Sequence, residues 1–488
     1  MLVIVEFSIN GIEKEKTIMY ISTRGLAPAV SFADTVLKGI APDGGLYVPE
    51  KIFQFAEDDI RRLAGLSYTE VAKIVMDRFA PDMDKVALHG AIDKAYTPDV
   101  FANVTDKDDN PFDIVPVRCL FSHGLCLARL SNGPTLAFKD LALQLLGHLF
   151  EIVLNGKPLN VLGATSGDTG SAAIHAMLGR KGIRVFMLSP HGKMSQFQSA
   201  QILGVNDPMI HNISVNGSFD DCQDVVKAVS GDAIFKDEYD IGAVNSINWA
   251  RVAAQVVYYL WLYSRIRGGD GGPIDVSVPT GNYGNIYAAW VAKMMGLPIR
   301  RLILATNEND VLHEFFTTGI YRPRLKTIET SSPSMDITKA SNFERYIFDV
   351  FGGDANKVAK LWTVLEKTGQ FDLSHRLAKF RETGITSRVV RQKQVDETIY
   401  YIFKTCGIVI DPHTAVAMHA AINTEQSGVP MVVMETAQPC KFDLAIKRAL
   451  GFTVSPPSSM KDLMSAKQFF TQMDPNVEAT KDFIRAWA

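Results

Sequence analysis

From about residue 115 onward the chain alternates short apolar runs with amphipathic segments. This alternation restricts the fold more than any other feature of the sequence. Residues 159–163, 184–188, 211–215, 274–278 and 301–305 have the composition of buried strands. Helical spacing follows at 171–178, 195–203, 219–229, 285–295 and 310–316. Strands separated by helices are covered on both faces and pair in parallel, so the region reads as α/β with a largely parallel sheet. The pattern returns at 431–435 and 442–450. Residues 347–384 are helix-rich and carry no glycine loop, which marks an insertion at about 340–390. Before residue 115 the pattern differs. Helical spacing at 32–38, 58–64 and 69–79 surrounds the turn cluster Ala41-Pro42-Asp43-Gly44-Gly45. The polar stretch 105–111, ending in Pro111, is a domain boundary.

Composition excludes several classes. A net charge of −3 without any run of five like charges is not the balance of a nucleic-acid binder. No apolar run reaches the ~18 residues that span a bilayer. The nearest, 252–263, is interrupted by Gln255. The five cysteines (Cys119, Cys126, Cys222, Cys406 and Cys440) are odd in number and include no C-x-x-C pair. The expectation is therefore no disulfide framework, no zinc ribbon and a reducing cytosol. None of the histidines stands at metal-ligand spacing, so no metal is expected. Residues 1–18 lack the basic flank of a signal peptide, and Met19 is an alternative start.

Four segments carry candidate chemistry. Residues 161–171 run from a strand through Thr165-Ser166-Gly167-Asp168-Thr169-Gly170 into a helix. Such a loop presents backbone N–H groups and hydroxyls to an anion at a helix N-terminus. An ordinary capped turn is the competing reading. Residues 278–286 include Gly281-Asn282-Tyr283-Gly284-Asn285, which can cradle one phosphate but matches neither a Walker loop nor G-x-G-x-x-G. The bland alternative is a turn with an asparagine in left-handed geometry. Residues 131–140 place Lys139 at the start of the apolar helix that continues Leu141-Ala142-Leu143. Burial there would favour the neutral amine that Schiff-base chemistry needs. Against this, most lysines are solvated charges. Residues 409–415 read as a strand end leading through Asp411-Pro412-His413-Thr414 into a helix. Asp411 or Thr414 suffices as its cap, and His413 alone earns no catalytic assignment.

Taken together, these segments resemble the threonine synthase family, in its branch with an extended N-terminal domain. That family belongs to the fold type II pyridoxal-phosphate enzymes, the tryptophan-synthase-β-like group. The likeness runs from about Met19-Tyr20-Ile21-Ser22-Thr23-Arg24-Gly25, through Ala41-Pro42-Asp43-Gly44-Gly45-Leu46-Tyr47, to about Phe442. It includes Gly133-Pro134-Thr135-Leu136-Ala137-Phe138-Lys139-Asp140, Ser166-Gly167-Asp168-Thr169-Gly170 and Asn245-Ser246-Ile247-Asn248-Trp249-Ala250-Arg251. It continues through Thr306-Asn307-Glu308-Asn309-Asp310 and Ser332-Pro333-Ser334-Met335-Asp336-Ile337.

The resemblance implies two parallel-sheet α/β domains with the cofactor between them, plus an N-terminal α+β domain. The expected domains are 19–112, a catalytic region at 113–450, and a helical tail at 451–488. Lys139 is implied as the lysine that holds pyridoxal phosphate. Gly281, Asn282, Tyr283, Gly284 and Asn285 are implied to grip its phosphate, and Thr414 to meet its pyridine nitrogen. Ser166, Gly167, Asp168 and Thr169 are implied to receive the substrate amino acid. The family reaction turns O-phospho-L-homoserine and water into L-threonine and phosphate. The leaving phosphate needs a second anion pocket, for which Lys193, Ser195 and Gln198 are candidates. A cytoplasmic monomer is implied, with a homodimer as second choice and neither nucleic acid nor membrane as partner. Two positions depart from the family. Where it commonly reads T-A-H-P-A-K-F, this chain reads Thr436-Ala437-Gln438-Pro439-Cys440-Lys441-Phe442. Gln438 cannot serve as an acid or base, which keeps open a related phospho-lyase that releases a 2-oxo acid, ammonia and phosphate. Cys440 reads as a small buried hydrophobe.

Overall fold

The computed structural model describes residues 18–104, 110, 113–121, 124–242, 244–424 and 428–488. The extension at 1–18 except Ile18, and the boundary at 105–111 except Asn110, lie outside the described residues. Two sheets organise the catalytic region. The larger has six strands in the order Ile385–Val389, Ile299–Thr306, Ile274–Pro279, Met431–Glu435, Leu125–Arg129 and Val117–Phe121. All of its pairs are parallel except the last. The smaller sheet has five parallel strands in the order Thr471–Met473, Ile210–Val215, Ile183–Pro190, Leu159–Ala164 and Ile241–Gly242. The α/β reading is thus met by a sheet in each of two halves. Met431–Glu435, the late return of the pattern, is inserted mid-sheet between Ile274–Pro279 and Leu125–Arg129.

The apolar run at 252–263 forms the middle of the helix Trp249–Arg267, buried continuously from Trp249 to Ser264. A helix apolar on all sides belongs inside the fold. It packs against the helices Tyr68–Phe79, Lys139–Leu154 and Gly284–Met294, so it joins the N-terminal region to both halves of the catalytic region. Among the described residues no helix is long and apolar enough to cross a membrane.

The N-terminal region is α+β, with Tyr20–Ser22 antiparallel to Tyr47–Pro49 and helices packed beside them. Polar bonds lock it onto the helix Phe343–Val350. Glu344 accepts from Thr23 Oγ1 at 2.7 Å and from Arg24 Nε at 3.1 Å, and buried Arg345 donates to the Tyr47 carbonyl at 3.0 Å. A buried carboxylate and guanidinium each need such partners. The expected insertion is present as the helices Phe343–Val350, Ala355–Thr368 and Leu377–Glu382, and it ends in a strand of the larger sheet.

Three expectations are corrected. The 451–488 segment is more than a helical tail, because Thr471–Met473 pairs with Ile210–Val215 as an edge strand before the final helix Val477–Trp487. A three-residue strand is too short to show a period in sequence. No strand forms at 409–410, where an unpaired segment leads directly to the helix Pro412–Ile422. Finally, Cys119 and Cys126 form a disulfide. They stand opposite each other on the antiparallel strands Val117–Phe121 and Leu125–Arg129, a juxtaposition that the hairpin alone creates. Cys222, Cys406 and Cys440 are free, and Cys440 is buried against Leu136 and Phe197 as expected.

An aromatic cluster backs the loop after Ile274–Pro279. Phe315 is wholly buried, with ring centroids of Phe316, Phe343 and Phe380 between 4.7 and 5.4 Å away. Phe315→Ala should cost about 3–5 kcal/mol of stability, measured by urea or thermal unfolding, because a rigid aromatic shell closes poorly around the void.

Candidate active site

The strands Leu159–Ala164, Ile274–Pro279 and Met431–Glu435 all end at one cleft. Thr169, Thr280 and Thr436, which follow them, line it together with Lys139. Ligands of open α/β sheets bind outside these carboxyl ends. The cleft is a concave site that opens to solvent and is lined by both sheet ends and helix starts.

Lys139 is the first residue of the helix Lys139–Leu154. The loop before it is held by backbone bonds from Phe138 N to Thr436 O at 2.9 Å and from Gln438 N to Leu136 O at 3.1 Å. Leu136 adopts a left-handed φ of 60° within that loop. The Lys139 amine lies 3.4 Å from Asp168 Oδ2 and 3.2 Å from Ser334 Oγ. Burial is the main force pushing its pKa below that of an ordinary lysine; Asp168 opposes it, while Lys441 and Arg251 add to it. A lysine held this way yields its neutral form more readily.

Gly281, Asn282, Tyr283, Gly284 and Asn285 all line the cleft, at the N-terminus of the helix Gly284–Met294. The left-handed residue of this loop is Tyr283, with φ of 64°, and not an asparagine. Its ring is buried and stacks on Phe316, which fixes the unusual backbone. A Cβ on Gly281 would come within 2.9 Å of the Met335 Cα, so only glycine allows that approach. Asn285 Oδ1 accepts from the hydroxyls of Tyr258 and Tyr259, each at 2.6 Å. That orients its Nδ2, which is buried and has no partner in the protein. An unsatisfied buried donor beside a helix N-terminus is a prepared anion seat.

A second unpaired donor faces the cleft from another helix. Arg251 is 4 % exposed, and its Nε and Nη1 have no protein partner. Burial lowers its pKa to about 10, which leaves it charged at neutral pH. In the sequence Arg251 stands at the end of the 245–251 motif with no legible role, because nothing in sequence distinguishes an unpaired buried arginine from a solvated one. Lys193, by contrast, is exposed, and Ser195 caps the helix Gln196–Leu203 by accepting from Gln198 N. Neither lines the cleft, whereas Gln198 is buried and bonds Asp168.

In the 166–169 loop Ser166 is exposed, Gly167 and Asp168 are buried, and Thr169 lines the cleft. Burial raises the Asp168 pKa, but the charges of Lys441 and Lys139 outweigh it and hold the carboxyl well below the usual range. Asp168 thus faces cations. His413, left without a role from sequence, also lines the cleft. The Ser334 N–H donates to its Nε2 at 3.1 Å, so its proton lies on Nδ1 and is donated to Asp411 at 2.8 Å. Thr414 is wholly buried behind it; its hydroxyl donates to Asp411 and accepts from Thr436 N. Gln438 does not line the cleft, and its amide donates to the carbonyls of Asn103 and Ser131. Among the described residues no cluster could hold a metal ion.

Asn285→Asp keeps both tyrosine bonds but replaces the free donor with an anion. Affinity for pyridoxal phosphate, titrated by absorbance, should fall by about tenfold or more from charge repulsion in a buried site, with the melting temperature nearly unchanged.

Residues 19–96 match the threonine synthase N terminus, 115–364 the pyridoxal-phosphate dependent enzyme family, and 414–484 the threonine synthase C-terminal family. The chain is 50 % identical over 471 residues to threonine synthase of Methylobacillus glycogenes, covering 95 % of this chain and 99 % of that one. With the enzyme of Corynebacterium glutamicum it shares 46 % over 479 residues, or 95 % and 98 % of the two chains. The crystal structure of PLP-bound threonine synthase from Brucella melitensis superposes with a TM-score of 0.90 at 37 % identity, covering 96 % and 99 % of the chains. With the loop, lysine and helix terminus all in place in one cleft, the chain belongs to the threonine synthase family of pyridoxal-phosphate dependent enzymes.

Proposed function

We propose that this protein converts O-phospho-L-homoserine and water to L-threonine and phosphate. One observation carries the reading: a single cleft combines a buried lysine amine with two separate unsatisfied anion donors, Asn285 and Arg251. A phosphorylated cofactor acting on a phosphorylated substrate needs two such seats.

The residues present fit pyridoxal phosphate. Gly281, Asn282, Tyr283, Gly284 and Asn285 would take its phosphate and Lys139 its aldehyde carbon; Thr414, implied for the pyridine nitrogen, does not line the cleft, and its hydroxyl would have to leave Asp411 or Thr436 N to reach that atom. When bound, the cofactor supplies the electron sink for proton loss from the substrate carbons. The rest falls to this chain. The backbone of residues 166–169, with Thr169, takes the substrate carboxylate at a helix N-terminus. Arg251 takes the substrate phosphate, and neutralising that charge makes it a better leaving group at Cγ. Lys139, once free, would take a proton from Cα, give it up, and then take one from Cβ. After phosphate leaves, it would return a proton to Cγ; water then places its oxygen on Cβ and a proton is returned to Cα, the remaining proton leaving on phosphate. Asp168 and Ser334 hold the amine in line for these transfers. Gln438, which kept the phospho-lyase alternative open, lies outside the cleft with its amide tied to backbone carbonyls, so the alternative loses its motive. We propose a monomer as the working unit, with a homodimer as second choice, and place it in the cytoplasm.

The direct test is product NMR in deuterated water. Threonine deuterated at Cα and Cγ, with one phosphate per turnover, is the expected outcome; a 2-oxo acid and ammonia would replace this reading by the lyase. Arg251→Met, similar in volume but uncharged, should raise KM for the phosphorylated substrate by about 10- to 100-fold, since hydrogen bonds to a charged group contribute about 1.5–3 kcal/mol. Its affinity for the cofactor should change little.

A further inference from the structure

Asp168 is shared between two lysines. Its Oδ1 accepts from Lys441 Nζ at 2.8 Å and from Gln198 Nε2 at 3.0 Å. Its Oδ2 faces Lys139 Nζ at 3.4 Å and accepts from Ser334 Oγ at 3.1 Å. The two cations are not equivalent. The Lys441 side chain is 0 % exposed, makes the shorter contact and donates also to the Thr135 carbonyl at 2.6 Å. The Lys139 side chain is 11 % exposed, makes the longer contact and shares the cleft with Arg251. Lys441 and Asp168 form a neutral buried pair, which leaves Lys139 as the surplus charge. Without Lys441, neutralising Lys139 would strand an unpaired carboxylate in the interior, a costly state. With Lys441 in place, the proton on Lys139 can leave and no buried anion is uncovered.

We propose that Lys441 is a positioning residue for Lys139. As the standing counter-ion of Asp168, it keeps that carboxylate ionised and in place, so that the Lys139 amine can stand neutral for cofactor capture and for proton transfer. The proposal rests on Lys139 being the cofactor lysine. The charged and titratable groups facing this cluster are Asp168, Lys441, Arg251 and His413, with Asp140 and His175 beside Lys441. His413 Nε2 accepts from the Ser334 N–H and its Nδ1 bonds Asp411, and the Asp140 carboxylate is bonded to Thr135. The depressed pKa of Lys139 agrees with this arrangement.

The test is trace acetylation of the full chain freed of cofactor, from pH 6 to pH 11, with the Lys139 peptide quantified by mass spectrometry. In Lys441→Met the midpoint for Lys139 should rise by about one pH unit or more, because Asp168 then has only Lys139 to hold and the repulsion from Lys441 is gone. Lys441→Gln, which retains a donor for the Thr135 carbonyl, should do the same and serves if the methionine variant does not fold. Lys441→Arg should leave the midpoint near that of the parent, and Asp168→Asn should lower it. In the holoenzyme, the acidic limb of kcat/KM against pH should move up with Lys441→Met and return with Lys441→Arg. An unchanged Lys139 midpoint in the neutral variants overturns the proposal and reduces Lys441 to a brace for its turn. Failure of the underlying reading would show separately, as a pyridoxyl group mapped to a lysine other than Lys139 after borohydride reduction of the holoenzyme.

Discussion

The buried carboxylate of Asp168 is the contact on which the cleft depends. It stands at the first turn of the helix that follows a strand of the smaller sheet, yet its partners come from elsewhere. Lys139 opens the helix after the Leu125–Arg129 strand, Lys441 lies just beyond Met431–Glu435, and Ser334 sits in the turn before the helical insertion. Three segments far apart in sequence are thus bonded to one group. A buried anion cannot lose these partners without a large penalty, so the ends of both sheets are held in a defined relation. The loop carrying Lys139 is braced a second time, by backbone bonds to residues 436–438.

Around this centre the protein leaves some polar groups unsatisfied. Most buried donors find a partner, and those that do not cost stability. Asn285 Nδ2 and the Arg251 guanidinium are both aimed at the cleft by a rigid frame. Two tyrosine hydroxyls hold the asparagine, and a helix buried continuously from Trp249 to Ser264 carries the arginine. Donors that need no reorganisation when an anion arrives bind it and stabilise its developing charge more effectively. The stability lost at these two positions is the counterpart of the function proposed for them. Tyr283 makes the same point for the backbone, since its left-handed conformation persists because an aromatic cluster holds the ring.

Much of the fold was legible before the structure. Strands buried on both faces are uniformly apolar, and the helices between them keep their spacing, so most elements were located within a few residues. Lys139 and the 281–285 loop were legible because glycines, a strand end and a helix start are adjacent in sequence. Arg251, His413 and Lys441 were not, because their roles depend on which side chains stand opposite them. An arginine in sequence looks the same whether it is solvated or buried without a partner. The bond between Cys119 and Cys126 was hidden for the same reason: only strand register brings the two thiols face to face. The strand Thr471–Met473 was too short to carry a period.

The amino-acid sequence by itself determined the α/β alternation, the helix starts with their capping residues and the glycine-bearing loops, because these follow from local backbone preference and from which faces must be buried. Its ordered motifs also determined the family. The tertiary structure alone decided that Met431–Glu435 enters the middle of the larger sheet, that Asp168 lies between two lysines, and that Arg251 and Asn285 keep free donors in one cleft. These are relations between residues tens to hundreds of positions apart. They arise when buried charges must find partners in three dimensions, a requirement that no local pattern records.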